Sequence, residues 1–410
     1  MKVIVSNIVK QHTHLLCQSL LDSNRLYKAI TTIGYEKKSV ILNKDFKIVK
    51  KIKNIKNKRV FNIPEHYLIT IKLVEILKQL LRVSGIQFDL CKTLLFEKYY
   101  DNLVVKKLKS FDFDVFIGSE KCSLKSFKYC KQKGIVTILD LAAVHYNKNE
   151  ILYDNYAEYK AIINDKKCFD KVNAHKAKEL DYVDFIFCLS KYAKQTLIDS
   201  GIDEKRIFVH YLPINQKVFF PKKMVSDVSK TLKILFVGRV SRLKGIELIL
   251  NIAKFFNSKN INTFEFTIVG PKDDSFDISL LAENNIKYKP FLPHLELAKE
   301  YQENDVFLSP SYTDSWSQTV IESMSCGTPV IVTENVGAKD AVVKGGGYVV
   351  PVNDSDAIIE KLLFLNSNRD ALMQLGVQAS KIAKDYTFRN YSNKINAVLD
   401  TIMHNQRAPL

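Results

Sequence analysis

The chain is sparing with turn formers, having 14 Gly and 10 Pro among its 410 residues. That scarcity excludes collagen-like, low-complexity and Gly/Pro-rich disordered chains. No fixed-period repeat is visible, which excludes solenoids and propellers. No run of about 18 apolar residues occurs, so no membrane-spanning helix is expected. The apolar run after Met1 is short and no small-residue cleavage site follows it, so no signal peptide is expected. The seven cysteines (Cys17, Cys91, Cys122, Cys130, Cys168, Cys188 and Cys326) are odd in number, scattered and never spaced C-x-x-C. They read as reduced, mostly buried thiols of a cytoplasmic protein, without a structural zinc site.

What is present describes a globular α/β protein. Hydrophobic residues make up 46% of the chain, and its length suits two domains better than one core. Net charge is +17 and unevenly spread. Residues 1–60 hold 14 Lys+Arg against 3 Asp+Glu, whereas residues 231–320 hold 10 against 11. The segment Phe46–Arg59 carries seven basic residues and no acid, with Phe46, Val49, Ile52 and Ile55 recurring every third position. It reads either as a solvated basic surface or as a face drawn to anionic lipid headgroups at the inner side of a membrane. No aromatic–basic recognition motif accompanies the charge, so nucleic acid is not expected as a partner.

Short apolar runs alternate with amphipathic segments. Val3–Ser6, Tyr27–Ile33, Val115–Gly118, Val136–Leu139 and Phe185–Leu189 read as buried strands in the first half. Lys233–Val237, Phe264–Val269, Val306–Ser309 and Val330–Thr333 do so in the second. Strand–helix–strand alternation implies parallel sheets covered on both faces, hence two Rossmann-like doubly wound domains facing each other across a cleft. The expected division is a first domain over 1–213, a polar linker over 214–230, a second domain over 231–385 and a final helix within 386–410 packing back toward the first domain.

Two segments carry chemistry. In the first, an apolar strand ends at Gly238, where a tight backbone turn is expected, and Arg239, Lys244 and Gly245 follow before a helical pattern at Ile246, Ile249, Leu250, Ala253 and Phe256. Lys244 and Gly245 therefore sit at a helix N-terminus, which favours an anion. Arg239 offers a bidentate fork and Lys244 a mobile point charge, a set suited to a diphosphate without a divalent metal or other cofactor. Solvated basic residues on an ordinary strand–loop–helix are the plainer alternative. In the second segment, Asp314 lies on a loop after a buried strand, a helix starts near Ser317, Glu322 lies within it, and Gly327 ends it. Carboxylates accept hydrogen bonds from vicinal hydroxyls, and helix-start amides meet anionic oxygens. A capping acid and a solvated glutamate are the alternative here.

At these residues the chain resembles the retaining glycosyltransferases of family 4, which have the GT-B fold. That family shows G-R-x-x-x-x-K-G after a strand and later an E-x7-E element. Here Gly238, Arg239, Lys244 and Gly245 match the first, and Asp314 and Glu322 the second, with Cys326-Gly327-Thr328-Pro329-Val330-Ile331 following. Ile268-Val269-Gly270 and Pro290-Phe291 fall in comparable segments, as does Ala177–Phe220 with Cys188-Leu189-Ser190 and Tyr211-Leu212-Pro213. The sequence departs from the pattern at Asp314 in place of Glu, and at Ser317 and Leu292 in place of Gly.

The resemblance implies a hexosyltransferase-type enzyme moving a sugar from a UDP- or GDP-sugar donor to a glycan or lipid-linked acceptor in polysaccharide or glycoconjugate biosynthesis. Arg239 and Lys244 would contact the diphosphate, Glu322 the ribose hydroxyls and Asp314 the transferred sugar. Gly238, Ser317, Gln318, Thr319, Gly270 and Phe291 would complete the donor site. The acceptor would attack from the face the leaving group departs, with the diphosphate as base. His145 would lie near the donor sugar, and His12 and His14 on a loop facing the cleft; for each a purely structural role is the alternative. The competing readings are a nucleotide-sugar epimerase or hydrolase on the same fold, and a non-catalytic basic binding protein.

Overall fold

A computed structural model describes residues 1–36, 60–61, 63–86, 88–163, 165–221, 231–273 and 276–407. The basic segment Phe46–Arg59 and residues 222–230 of the expected linker lie outside the described residues.

The first half contains strands β1 (Val3–Ser6), β2 (Leu26–Thr31), β3 (Tyr35–Glu36), β4 (Val60–Phe61), β5 (Leu68–Thr70), β6 (Val115–Ser119), β7 (Val136–Leu141), β8 (Phe185–Cys188) and β9 (Ile207–Val209). Its helices are α1 (Thr13–Asp22), α2 (Lys72–Val83), α3 (Leu90–Leu108), α4 (Leu124–Gln132), α5 (Tyr146–Asn155), α6 (Ala157–Lys160), α7 (Lys166–Leu180) and α8 (Lys191–Ile198). The second half contains β10 (Leu232–Val237), β11 (Phe264–Val269), β12 (Ile286–Lys289), β13 (Val306–Ser309), β14 (Val330–Thr333) and β15 (Gly347–Val350). Its helices are α9 (Ile246–Ser258), α10 (Ser279–Glu283), α11 (His294–Glu303), α12 (Gln318–Ser325), α13 (Lys339–Val342), α14 (Ser355–Ser367), α15 (Arg369–Ala383) and α16 (Phe388–Arg407).

Two large parallel sheets result, ordered β5-β2-β1-β6-β7-β8-β9 and β12-β11-β10-β13-β14-β15, and β3 pairs with β4 apart from them. Central strands such as β1, β6 and β14 are buried along their whole length, as both-face coverage requires. Each sheet has a core layer on both faces. In the second sheet, Leu235 and Phe307 belong to one layer, and Ile234, Phe236 and Leu308 to the other. Strand order reverses between β1 and β6 in the first sheet and between β10 and β13 in the second. At such a switch point the connections on either side run to opposite faces and leave a crevice beyond the strand ends, where ligands sit.

The described part of 214–230 is packed rather than free. Phe219 is buried against Tyr301, and Ser325 Oγ donates to the Phe219 carbonyl at 2.8 Å. The chain crosses back beside this passage, where Ile214 N donates to the Tyr386 carbonyl at 2.8 Å. Helix α16 then lies on the first sheet. Tyr391, Ile395, Leu399 and Ile402, at helical spacing, join Val3, Val5 and Leu16 in one apolar cluster. Burying each such side chain contributes roughly 1.5–3 kcal/mol.

The cysteine expectation is corrected. Cys91 at the start of α3 and Cys168 in α7 form a disulfide, with Cα atoms 5.4 Å apart. The pairing arises because α3 and α7 pack together, which the separation of 77 residues conceals. Cys17, Cys122, Cys130, Cys188 and Cys326 are free and buried. With a disulfide in the fold, cysteine usage no longer argues for a cytoplasmic protein. Among the described residues no helix is long and apolar enough to cross a membrane.

Candidate functional site

A cavity of about 260 Å³ opens between the two domains at the switch point of the second sheet. Its lining from the second domain comes from the loop after β10 (Gly238, Lys244), the loop after β13 (Ser311, Asp314, Ser315) and the start of α12 (Ser317, Gln318, Thr319). Leu189 and Leu212 close it from the first domain. Both lie in the family-like stretches Cys188-Leu189-Ser190 and Tyr211-Leu212-Pro213, although neither was singled out as a site residue.

The first loop is shaped by close backbone approaches. Gly245 has φ +76, and a Cβ there would fall 2.1 Å from the Pro310 carbonyl oxygen. Gly270 has φ +142, and its Cβ would fall 1.9 Å from the Gly238 carbonyl oxygen. The chain bends at Gly238 directly after β10, without a left-handed φ, and the tight backbone approach falls on Gly270, which packs against it. Beyond it a short 3₁₀ turn, Arg242–Lys244, delivers the chain into α9.

The second loop is held by backbone hydrogen bonds to the loop after β14. Asp314 N donates to the Asn335 carbonyl at 3.0 Å, and Gly337 N to the Asp314 carbonyl at 2.8 Å. The carboxylate of Asp314 is divided between two tasks. Its Oδ1 accepts from Trp316 N at 3.1 Å and Ser317 N at 2.9 Å, capping the approach to α12, while Oδ2 meets Lys244 Nζ at 2.5 Å. Ser317 holds φ +65, the left-handed conformation that a glycine at this position adopts without strain.

Glu322 lies one turn into α12 but does not line the cavity. It is buried, and Tyr301 Oη donates to its Oε2 at 3.1 Å. Burial pushes its carboxyl up to about 7, against the lowering effect of the Tyr301 hydrogen bond. Arg239 also lies outside the lining; its exposed side chain pairs with Asp273 at 3.0 Å. Phe291 is 68% exposed and not part of the cavity wall.

His145 is the N-cap of α5. Its Nδ1 accepts from Asn147 N at 3.3 Å, and its own amide donates to Thr196 Oγ1 at 3.0 Å. It is buried without lining the cavity, and burial is the main cause of its pKa falling to about 4. His12 is committed elsewhere: its Nε2 lies 2.9 Å from both oxygens of Asp140. Burial disfavours both charges, but their attraction outweighs it, holding Asp140 below the usual carboxylate range and raising His12. His14 Nδ1 pairs with the Gln11 carbonyl at 2.9 Å.

Polar contacts and tilted aromatic rings join the domains around the cavity. Ser190 Oγ donates to the Ser315 carbonyl at 2.7 Å, Ser315 Oγ to the Ala142 carbonyl at 2.6 Å, and Gln318 Nε2 to the Pro213 carbonyl at 3.0 Å. Buried Trp316 sits between Tyr211 and Tyr386, with ring centroids at 5.1 and 5.5 Å. Trp316 and Ser315 escaped sequence reasoning; their position between the two acids was the available signal. Among the described residues no group of three His, Cys, Asp or Glu side chains has metal-binding geometry.

The family model described as "Glycosyl transferases group 1" matches residues 221–382, the part of the chain that carries both loops. An "Uncharacterized 41.2 kDa protein in cps region" of Klebsiella pneumoniae is 26% identical over 310 residues, covering 70% of this chain and 80% of that protein. D-inositol 3-phosphate glycosyltransferase of Paenarthrobacter aurescens is 30% identical over 161 residues, covering 36% of this chain and 39% of that one. Sucrose-phosphate synthase from Thermosynechococcus elongatus superposes with a TM-score of 0.69 at 14% identity, covering 99% of this chain and 100% of that one. The fold is therefore GT-B, and the sequence matches support a glycosyltransferase.

Proposed function

We propose that this protein is a retaining, metal-independent glycosyltransferase of family 4. It would move a hexosyl group from a UDP- or GDP-sugar to a glycan or lipid-linked acceptor, in polysaccharide or glycoconjugate biosynthesis. The observation that carries the reading is the meeting of Lys244, Asp314 and the N-terminus of α12 on one inter-domain cavity. One cation, one carboxylate and a set of helix-start amides suit a ligand bearing both a diphosphate and hydroxyls.

In this reading negative charge grows on the diphosphate as the glycosidic bond breaks. Lys244 and the α12 amides stabilise it, and Arg239 joins them on leaving Asp273. Preorganised donors of this kind contribute on the order of 3 kcal/mol each to the transition state. Asp314, freed from Lys244, accepts hydrogen bonds from the transferred sugar; Glu322, held outside the cavity lining on Tyr301, would have to turn from that contact to accept from the ribose. The acceptor hydroxyl attacks on the face the diphosphate leaves and gives its proton to the departing oxygen. The ring of inter-domain contacts limits water at the reacting carbon.

The test is to follow donor consumption and product by NMR, with and without acceptor, in the wild type, Lys244→Ala and Glu322→Ala. Acceptor-dependent product of retained anomeric configuration, lost in both variants, is expected. Inverted product or turnover without acceptor would refute the reading, and near wild-type rates in both variants would refute the site assignment.

A further inference from the structure

Where the chain crosses back into α16, a second cavity of about 170 Å³ opens, separate from the one that holds Lys244 and Asp314. Its walls come from both domains and from the crossover itself: Val209 and Tyr211 at the end of the first sheet, Lys344 after α13, and Asp385, Tyr386 and Lys394 along the crossover. Tyr211 and Tyr386 also hold Trp316 between them, and Trp316 lines the first cavity. A single group of three rings therefore stands between the two cavities.

The charge of the second cavity suits an anion. Lys344 and Lys394 stand against Asp385, the single acid of the lining, and neither lysine is ion-paired among the described residues. Lys344 Nζ lies 5.9 Å from the centroid of the Tyr386 ring. Thr387, also in the wall, starts α16. Its Oγ1 and its carbonyl accept from Asn390 N and Tyr391 N, at 3.1 and 3.0 Å. Helix geometry leaves the amides of Phe388 and Arg389 without an intrahelical acceptor, and this 20-residue helix has no acid in its first turn to offset its dipole. Tyr386 is the independent sign of a ligand. It is 5% exposed, yet its hydroxyl has no hydrogen-bond partner. Burial, then the nearby Asp340 and Asp385, raise its pKa, so it stays a proton donor. A buried hydroxyl without a partner is costly, and an acceptor brought by a ligand offsets that cost.

We propose that this cavity binds a phosphate group, free or carried by a small ester. Two ammonium groups, a phenol and helix-start amides are donors suited to a compact oxyanion. The volume falls below the roughly 300–1,000 Å³ of ordinary ligand pockets, too small for a nucleotide. The donors belong to the second domain and to the crossover helix, while Tyr211 of the first domain closes the wall. A phosphate seated there ties the three together. Its consequence for activity rests on the glycosyltransferase reading: through Tyr211, Trp316 and Tyr386 it would steady the two domains around the donor cavity without entering it.

The experiment is isothermal titration of the full chain with inorganic phosphate and with glycerol 3-phosphate, in chloride buffer of matched ionic strength. Saturable binding is expected for wild type and for Lys244→Ala, whose donor cavity has lost its cation. Lys344→Ala/Lys394→Ala is expected to bind about tenfold less tightly or weaker still, since each ammonium lost removes a charge-assisted hydrogen bond. Both lysines are exposed, so the fold does not depend on them. Tyr386→Phe is expected to bind more weakly, while its thermal midpoint without phosphate stays at or above that of wild type, because it deletes a hydroxyl that has no partner. Tighter binding of glycerol 3-phosphate assigns the group to an ester, and tighter binding of phosphate to the free anion. Absence of saturable binding overturns the proposal. So does an affinity lost in Lys244→Ala but kept in the double lysine variant, which would place the anion in the donor cavity, or an affinity unchanged in Tyr386→Phe. Phosphate binding that needs Lys344 and Lys394, in a protein that transfers no sugar, sinks the enzymatic assignment and leaves this site standing.

Discussion

Lys244 Nζ and Asp314 Oδ2 meet at 2.5 Å across the mouth of the inter-domain cavity, although 70 residues separate them in the chain. The two groups proposed to hold opposite ends of the donor thus neutralise each other when it is absent. In the proposed reading, a bound diphosphate would compete for the lysine and release the carboxylate to the sugar. Lys244→Ala is expected to reduce kcat/KM about a hundredfold or more, the loss typical of one oxyanion-stabilising donor. Asp314→Asn, which keeps a cap acceptor but removes the ion pair, is expected to weaken sugar discrimination more than binding of the free nucleoside diphosphate. Isothermal titration with both ligands separates the effects, and equal losses for both would contradict this division.

Backbone contact, not side-chain chemistry, sets two glycines, Gly245 before α9 and Gly270 after β11. Gly245→Ala would drive a methyl to 2.1 Å from the Pro310 carbonyl oxygen, and Gly270→Ala to 1.9 Å from that of Gly238. Neither obstacle is a side chain that can swing away. Each variant is expected to lose about 3 kcal/mol or more. Gly134→Ala is the control: its φ of +69 is left-handed, but nothing lies within 4 Å. It is expected to cost about 1–2 kcal/mol. Urea unfolding of the three variants checks the order, and a Gly134→Ala loss as large as the others would reject it.

Ser317 tests a different balance. Its φ of +65 is a glycine-like conformation carried by a side chain. Ser317→Gly relieves that strain while loosening the unfolded chain, so stability is expected within about 1 kcal/mol of wild type. Ser317→Val adds a β-branched side chain to the same conformation, and a loss of about 2 kcal/mol or more is expected. Thermal melts that rank valine level with glycine would show that the loop yields.

The buried carboxyl of Glu322 makes stability depend on pH. Its folded pKa is about 7 against an ordinary value of 4.5. Because the folded value is raised, its contribution is full below pH 4.5 and is lost as pH rises toward 7. The loss is on the order of 3 kcal/mol. Glu322→Gln cannot ionise, so its thermal midpoint is expected to exceed that of wild type at pH 8 and to lose that advantage at pH 5, while donor turnover falls. Parallel pH profiles for the two proteins would count against a buried, uncharged Glu322.

The disulfide between Cys91 and Cys168 spans 77 residues. Closing a loop of that size stabilises by about 4.5 kcal/mol in the chain-entropy account. Cys91→Ser/Cys168→Ser, or wild type in reductant, is expected to unfold at clearly lower urea concentration. Wild type unaffected by reductant would show that the packing of α3 on α7 suffices without the bond.

Apart from the two-residue strands β3 and β4, the strands missed in the sequence share a position. Leu68–Thr70, Ile207–Val209, Ile286–Lys289 and Gly347–Val350 are the edge strands of the two large sheets. An edge strand is short and partly solvated, so Ile286–Lys289, with lysine at alternate positions, carries no apolar run to recognise. The buried central strands differ from expectation by no more than two residues at an end, because coverage on both faces demands continuous apolar sequence.

The amino-acid sequence by itself determined the doubly wound class, the cleft-forming pair of domains and the two loops after β10 and β13, since periodicity and punctuation are local properties of a chain. Tertiary structure alone decided how those loops meet: that Asp314 turns to Lys244, that Glu322 withdraws onto Tyr301, that Arg239 stands with Asp273, and that His12 serves Asp140. It also decided the one covalent link between α3 and α7. Each of these joins residues distant in sequence, and such a pairing depends on which strand ends and helix faces the fold brings into contact. No local pattern encodes that.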